Sequence, residues 1–222
     1  MTAAASRMIA LLSMVLTLLA AAGDVGRLGD DAGLGATAAG RLLLEYTVQC
    51  ALPESDSVVT RRDGRDVLLH GSLGLAPQWK HEAMTAVDER WITACILARM
   101  NAFGVTVKLS LRGDHDALRN VEASERHQYT YEEGAFYGNF FADPPVLYAC
   151  SGTGSARRAP ARRLRVCTEA APTGEATNRC GMVMTGACTV VCEQHDGVYE
   201  GCFGAGERYD EVLTVFLETP HD

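Results

Sequence analysis

Eight cysteines are the feature that most constrains how this chain folds. They occur in a chain of 222 residues, and six of the eight lie between Cys150 and Cys202. An even number of cysteines in an exported chain is most simply explained by disulfide bonds. The sequence therefore predicts four disulfides, in a pairing that the residues alone leave open, formed by Cys50, Cys95, Cys150, Cys167, Cys180, Cys188, Cys192 and Cys202.

Zinc binding is the alternative interpretation of the same residues. A four-thiolate site can be drawn from Cys180, Cys188, Cys192 and Cys202. However, the spacing Cys188-x-x-x-Cys192 matches no standard C-x-x-C pair, and exported thiols normally oxidise. We therefore expect disulfides, with no metal and no other cofactor.

The first 22 residues have the pattern of a secretory signal peptide. Arg7 supplies positive charge, residues 8–19 are apolar, and residues 20–22 are three alanines that suit cleavage before Gly23. The apolar run falls short of the roughly 20 residues needed to span a bilayer, so a membrane anchor is the weaker alternative. We expect an exported protein, periplasmic or extracellular, with no stable membrane insertion after removal of the leader.

The rest of the chain divides into a linker and one domain. Residues 23–40 are rich in glycine and lack aromatic residues, which predicts a flexible linker. Residues 41–222 are expected to form a single disulfide-stabilised domain, in which residues 150–202 are a cysteine-rich lobe. The whole chain is 47% apolar, enough for a folded core, and its formal net charge of −8 disfavours binding to nucleic acid.

The clearest secondary-structure signals are one helix and one strand. Thr85-x-x-Asp88 is typical of a helix start, and the apolar positions 87, 91, 94, 95 and 98 share one face of a helix that ends before Gly104. Residues 105–111 alternate apolar and polar, which predicts a half-buried strand. Further strands are expected at residues 42–49, 66–70 after an Asp63-Gly64 turn, 127–131, 146–150, 182–185 and 211–218.

Strands and helices do not alternate regularly, so a doubly wound parallel sheet is unexpected. We predict an α+β fold with one principal helix packed on a largely antiparallel sheet and a disulfide-rich C-terminal lobe.

Familiar catalytic signatures are missing from the sequence: no G-x-S-x-G, H-E-x-x-H or phosphate-binding G-x-x-x-x-G-K is present. One candidate base is His115, which stands between Asp114 and Asp116 just after the alternating strand. A solvated turn is the more ordinary interpretation of this segment, because Gly-Asp is typical of turns.

An aromatic segment from Tyr129 to Tyr148 is the second candidate site. Tyr131, Tyr137 and Asn139 are candidate binding residues, and Glu132 and Glu133 are candidate catalytic carboxylates. Neighbouring residues of a strand point to opposite sides, however, so this pair suits acid–base chemistry poorly, and aromatic residues of this kind more often form a core.

Five arginines between Arg157 and Arg165 form a third feature, which predicts an exposed basic loop. Such a loop could contact an anionic partner or present itself to a protease, as in a secreted inhibitor.

Four blocks carry a resemblance to known proteins: GLAPQW (74–79), RWITACILARMNAFGVTVKLSLRG (90–113), EGAFYGNFF (133–141) and LYACSG (147–152). Together they resemble exported, cysteine-bearing proteins of GC-rich predatory Gram-negative bacteria. The resemblance extends over roughly residues 71–202. It implies export and a single module, and it implies no activity.

Two functional hypotheses follow. The first is an exported, disulfide-stabilised binding or structural module, whose partner is a glycan, a peptide or another exported protein. The alternative is an exported hydrolase or carbohydrate-active protein with its cleft in the segment 129–148.

Overall fold

The structure is a computed structural model that describes residues 38–154, 165–171 and 174–219. The helices in these ranges are α1 (Ala38–Ala51), α2 (Ala86–Arg99), α3 (Ala123–Gln128) and α4 (Cys188–Val191). The strands are β1 (Ser57–Arg62), β2 (Arg65–His70), β3 (Leu109–Arg112), β4 (Tyr131–Asn139), β5 (Val146–Ser151), β6 (Val183–Ala187), β7 (Glu193–His195), β8 (Val198–Glu200), β9 (Cys202–Gly204), β10 (Glu207–Tyr209) and β11 (Leu213–Leu217). The predicted signal peptide and most of the predicted linker and of the arginine-rich loop lie outside the described residues.

The central element in the described part of the chain is a five-stranded sheet in the order β3-β11-β4-β5-β6. Its neighbours are antiparallel except for β5 and β6, which are parallel. Three two-stranded hairpins accompany it: β1-β2, β7-β8 and β9-β10. The predicted α+β class, with a largely antiparallel sheet, is confirmed.

Each face of the sheet is covered by a different core. Phe136 and Leu213 belong to the core beneath the helices, together with Trp79, Ile92 and Leu97. The opposite face carries a second core, built by the buried residues Ala135, Tyr137, Tyr148, Tyr199, Tyr209 and Val212 and by cysteines of the C-terminal lobe. Adjacent residues such as Phe136 and Tyr137 enter different cores because side chains alternate across a strand.

Helix α2 begins as its sequence predicts. The Thr85 hydroxyl accepts a hydrogen bond from the Asp88 backbone N–H, and the Asp88 carboxylate accepts one from the Thr85 N–H, which completes a capping box. The helix packs against β4 and β11. It ends at Arg99, and Val87 on the predicted apolar face is 53% exposed.

Residues 42–49 were predicted as a strand, and this prediction is wrong, because they lie within helix α1. Leu43, Leu44, Thr47 and Val48 are buried, whereas Leu42 is exposed. Burial at i, i+1, i+4 and i+5 is the pattern of one helical face, and the short apolar run alone does not distinguish helix from strand. Because α1 begins at Ala38, it also includes the last three residues of the predicted linker.

The predicted strand at 105–111 is shortened and shifted to Leu109–Arg112. Its polar positions are the more buried ones, which reverses the expected arrangement: Ser110 and Arg112 are buried and Leu109 and Leu111 are half-buried. Arg112 is accommodated because its guanidinium stacks 3.8 Å from the ring centroid of Phe216 and donates to the Tyr129 carbonyl.

A strand predicted at residues 127–131 is also wrong for most of its length, because α3 extends through Gln128 and β4 begins only at Tyr131. The turn at Asp63-Gly64 and the strands near 66–70, 146–150, 182–185 and 211–218 are confirmed with small shifts of their ends, whereas β1, which pairs with β2 across that turn, was not predicted.

All eight cysteines lie in the described ranges and form four disulfides. The pairs are Cys50–Cys95, Cys150–Cys188, Cys167–Cys180 and Cys192–Cys202. The first joins α1 to α2, and the other three lie in the C-terminal part of the chain. In the described ranges no helix has both the length and the apolar character needed to cross a membrane.

Candidate functional site

The predicted aromatic and acidic residues do not meet on one surface. Strand β4 separates Tyr131, in the core beneath the helices, from Tyr137, in the opposite core. The Tyr137 ring is fully buried, and its hydroxyl donates to the Phe203 carbonyl and lies 2.7 Å from Thr185 Oγ1. Both tyrosines are therefore packing residues.

Glu133 is buried within the core beneath the helices. Its Oε2 accepts a 2.6 Å hydrogen bond from Nε of Arg165, and both side chains have no exposed surface. Arg165 also donates to the Ala98 carbonyl at the end of α2. The ion pair joins β4 to the last arginine of the arginine-rich segment, so the prediction of an exposed loop is wrong for Arg165.

Glu132 lies on the other side of β4. Its Oε1 accepts a 2.6 Å hydrogen bond from the Tyr199 hydroxyl and a 2.9 Å bond from the Thr153 N–H. The register of β4 against β11 shifts between Val215 and Phe216, as it does at a β-bulge. The two carboxylates thus point to opposite sides, as the sequence predicts for an extended segment, and they cannot serve as an acid–base pair.

Asn139 ends β4 and ties it to α2. Its side-chain N–H donates to the Glu89 carboxylate, and its Oδ1 accepts from the Phe141 N–H. Both polar atoms of the amide are engaged within the protein.

His115 is likewise held in place by local contacts. Its Nδ1 accepts a 3.1 Å hydrogen bond from the Ala117 N–H, its ring lies edge-on to Trp91 at 5.1 Å, and it also hydrogen-bonds the backbone of Leu75. Partial burial lowers the pKa of His115, so the imidazole is neutral near pH 7. These contacts show a capping residue of the short 3-10 turn that follows.

An open groove of about 260 Å³ lies on the described part of the chain. It lies between the C-terminal end of α2, the edge strand β3 and the segment that leads into α3. Six of the nine lining residues are apolar, but polar atoms contribute more of the groove's exposed surface than carbon atoms do; the lining residues are Leu73, Arg99, Leu109, Leu111, Ala117, Leu118, Asn120, Val121 and Glu125.

Arg99 provides the positive charge of this groove. One guanidinium N–H donates to the Gln49 side chain of α1 at 2.9 Å, and none of the ion pairs among the described residues includes Arg99. Burial lowers the pKa of Arg99, although it stays protonated. A guanidinium has five N–H donors, so most of them are left for a ligand or water.

Sequence reasoning missed this groove for two reasons. Leu109 and Leu111 were assigned to the buried face of a strand, whereas both are half-buried and line the groove. Arg99 gives no signal of its own, since a basic residue in the last turn of a helix is ordinary.

A second cluster of interest lies on the opposite side of the sheet. The Sγ atoms of Cys150, Cys188 and Cys192 all lie within 4.8 Å of one another. They belong to two different disulfides, so two S–S bonds are adjacent in space.

The fold and these sites define a disulfide-stabilised α+β module. Comparison with known protein families, with curated proteins and with solved structures finds no match. The chemistry of the groove and of the sulfur cluster is therefore the guide to function.

Proposed function

We propose that this chain is an exported binding module that holds a small apolar carboxylate in the groove at the end of α2. The observation that carries the proposal is Arg99, a cation that lines the groove beside four leucines and forms no ion pair with a carboxylate among the described residues. The resemblance to exported, cysteine-bearing bacterial proteins supports the same cellular setting, and we include the chain in that group as part of the proposal.

The shape of the groove limits the size of the ligand. Small-molecule pockets usually enclose about 300–1,000 Å³, and this groove, at about 260 Å³, lies just below that range. Its half-buried leucines gain from contact with a short alkyl chain, because covering apolar surface contributes about 25 cal/mol per Å². A single chain with one charged end fits this arrangement.

The charge of the ligand follows from Arg99. Hydrogen bonds between a guanidinium and a carboxylate are short and strong, and they strengthen where water is partly excluded. Glu125, at the margin of the groove, disfavours a second negative charge on the ligand. A monocarboxylate is therefore expected to bind better than a dicarboxylate.

Catalysis is not proposed for the segment 129–148. The carboxylates of Glu132 and Glu133 lie on opposite sides of β4, and Tyr131 and Tyr137 are buried in different cores. No observation favours a hydrolase over a binding module.

Calorimetric titration of the oxidised protein tests the ligand. Octanoate, octanol and octylammonium have the same alkyl chain and differ in the head group, and we expect binding of octanoate with at least about tenfold weaker binding of the other two. Equal binding of octanol would show a purely apolar site and would contradict the proposed role of Arg99.

Two substitutions separate the role of Arg99 from a general effect of charge. Arg99→Gln is expected to weaken octanoate binding about tenfold, in line with the loss of a charged hydrogen bond. Arg208→Gln is the matched control, because Arg208 lies in β10, is absent from the groove lining, and pairs with Glu193 and Asp210. If both variants bind octanoate like the unmodified protein, Arg99 does not contact the ligand.

Export has its own test. The full-length chain, expressed in a Gram-negative host, is expected in the periplasm or medium with Gly23 as its first residue. Recovery of an unprocessed chain in the cytoplasm would contradict that part of the proposal.

A further inference from the structure

We propose that Cys192 is the entry point of a thiol–disulfide exchange site, from which a dithiol partner rearranges the adjacent Cys150–Cys188 bond. The key geometry is the contact between the two disulfides: Sγ of Cys150 lies 3.7 Å from Sγ of Cys192, although each is bonded to a different cysteine. This distance is a van der Waals contact between sulfur atoms.

The local backbone holds these sulfurs together. Cys188 is the first residue of α4, and Cys192 follows its last residue, with the Cys192 N–H donating to the Cys188 carbonyl at 2.9 Å. One helical turn therefore carries one cysteine from each disulfide. Helix α4 packs on β5 and β6, so Cys150 of β5 lies directly against this turn.

Access to the four sulfurs is unequal. Cys150, Cys188 and Cys202 have no exposed surface, whereas Cys192 is half-buried. An external thiolate must reach the sulfur that it attacks, so exchange with a partner begins at Cys192. The alternative sites are less accessible, because Cys50, Cys95, Cys167 and Cys180 are all buried.

The chemistry proceeds in three balanced steps. A thiolate of the partner attacks Sγ of Cys192, the Cys192–Cys202 bond breaks, and Cys202 leaves as a thiolate. In the resulting mixed disulfide the first sulfur of the partner is bonded to Cys192. The second thiol of the partner attacks that first sulfur, and Cys192 leaves as a thiolate. The partner has then lost two electrons and carries a disulfide. The released Cys192 side chain rotates from its lateral contact until its Sγ is in line with the Cys150–Cys188 bond; its thiolate then attacks Sγ of Cys150, a Cys150–Cys192 bond forms, and Cys188 leaves as a thiolate.

The last step changes no oxidation state, because one S–S bond replaces another. Before this step the free thiols are those of Cys192 and Cys202. After it they are those of Cys188 and Cys202. The partner class is a reduced dithiol; the reverse sequence reduces the oxidised partner's disulfide and re-forms Cys150–Cys188 and Cys192–Cys202.

A single substitution isolates the exchange step. Cys202→Ser leaves Cys192 as a free thiol beside an intact Cys150–Cys188 bond. After equilibration at pH 8, acid quenching and labelling with N-ethylmaleimide, we expect label on Cys188 in at least about one tenth of the molecules. Tandem mass spectrometry distinguishes Cys188 from Cys192, because the three residues between them yield separate fragment ions.

Cys192→Ser is the matched control, since it leaves one thiol at Cys202 and removes the attacking sulfur. We expect its label on Cys202 alone, with Cys150–Cys188 intact. Label confined to Cys192 in the Cys202→Ser variant would overturn the proposal.

Limiting dithiothreitol provides an independent measurement on the unmodified protein, which does not depend on the folding of a variant. We expect Cys192–Cys202 to be lost first and a Cys150–Cys192 bond to appear at intermediate times. First loss of any other disulfide, or full reduction without a Cys150–Cys192 species, would contradict the assignment of Cys192 as the entry point.

Discussion

The carboxylate of Glu133 and the guanidinium of Arg165 form an ion pair in which neither side chain has any exposed surface, with Nε and Oε2 2.6 Å apart. Arg165 also donates to the Ala98 carbonyl, and its guanidinium carbon lies 5.7 Å from the ring centroid of Phe136. These contacts connect the C-terminal lobe to α2 and β4.

Removal of one partner of this pair is expected to destabilise the fold strongly. Glu133→Ala leaves a buried guanidinium without its carboxylate, and such losses cost about 3–5 kcal/mol. Urea unfolding measures the effect, with Glu54→Ala as a control for loss of an exposed carboxylate. If the free energy of unfolding falls by less than about 1 kcal/mol, other groups compensate the buried charge of Arg165.

Thr85→Ala removes the hydroxyl that caps α2. The Asp88 N–H then loses its acceptor, and N-cap substitutions of this kind lower the free energy of unfolding by about 1 kcal/mol. Thr106→Ala, in an exposed loop, is the control and is expected to change stability by less than about 0.5 kcal/mol. Equal effects in thermal unfolding of the two variants would contradict a specific capping role.

Alkaline pH is expected to weaken the fold through Tyr137. Burial raises the pKa of Tyr137 from 10 to about 12, so the folded chain retains a proton that the unfolded chain has released. Above pH 10 the free energy of unfolding therefore falls by about 1.4 kcal/mol per pH unit for this group, until the folded tyrosine also ionises near pH 12.

Urea unfolding at a series of pH values from 8 to about 11 measures this slope. Tyr137→Phe removes the titrating group, and its slope should be shallower than that of the unmodified protein. Parallel curves for the two proteins would show that ionisation of Tyr137 does not contribute.

Asn178 is predicted to organise the loop closed by Cys167–Cys180. Its side chain donates to the Cys167 carbonyl and accepts from the N–H groups of Cys180 and Met182. Asn178→Ala leaves these buried groups without partners, at a cost of about 1–3 kcal/mol for each unsatisfied group. Asn120→Ala, at an exposed position, is the control for thermal unfolding, and a similar loss in both variants would exclude this role.

The sequence predicted correctly those features that depend on interactions between neighbouring residues. The Thr85–Asp88 capping box and the Asp63-Gly64 turn depend on neighbouring residues, and both occur as predicted, with Asp63 and Gly64 at positive φ as this hairpin requires. The acidic pair Glu132–Glu133 also diverges as an extended segment predicts.

Predictions failed where burial is decided by distant parts of the chain. The run LLLEYTVQ forms a helix because α1 packs against α2 and β2. Arg112 is buried because Phe216, more than a hundred residues away, covers its guanidinium. Neither partner is visible in the local pattern of residues.

In the candidate sites, too, the sequence predicts some features and the tertiary structure decides the others. The number of cysteines predicts disulfides, yet their pairing depends on which sulfurs the fold brings together, including the 3.7 Å contact between Cys150 and Cys192. Arg99 and the leucines of the groove come from separate segments, so only the packed structure forms a site from them.

By itself the sequence determined the α+β class, the start of α2, and the presence of cysteines enough for four disulfides, because these follow from short-range propensity and residue counts. The tertiary structure alone decided the disulfide pairing, the burial of Glu133 with Arg165, and the groove around Arg99. Each of these depends on contacts between residues far apart in the chain, and such contacts are set by how the helices and strands pack together.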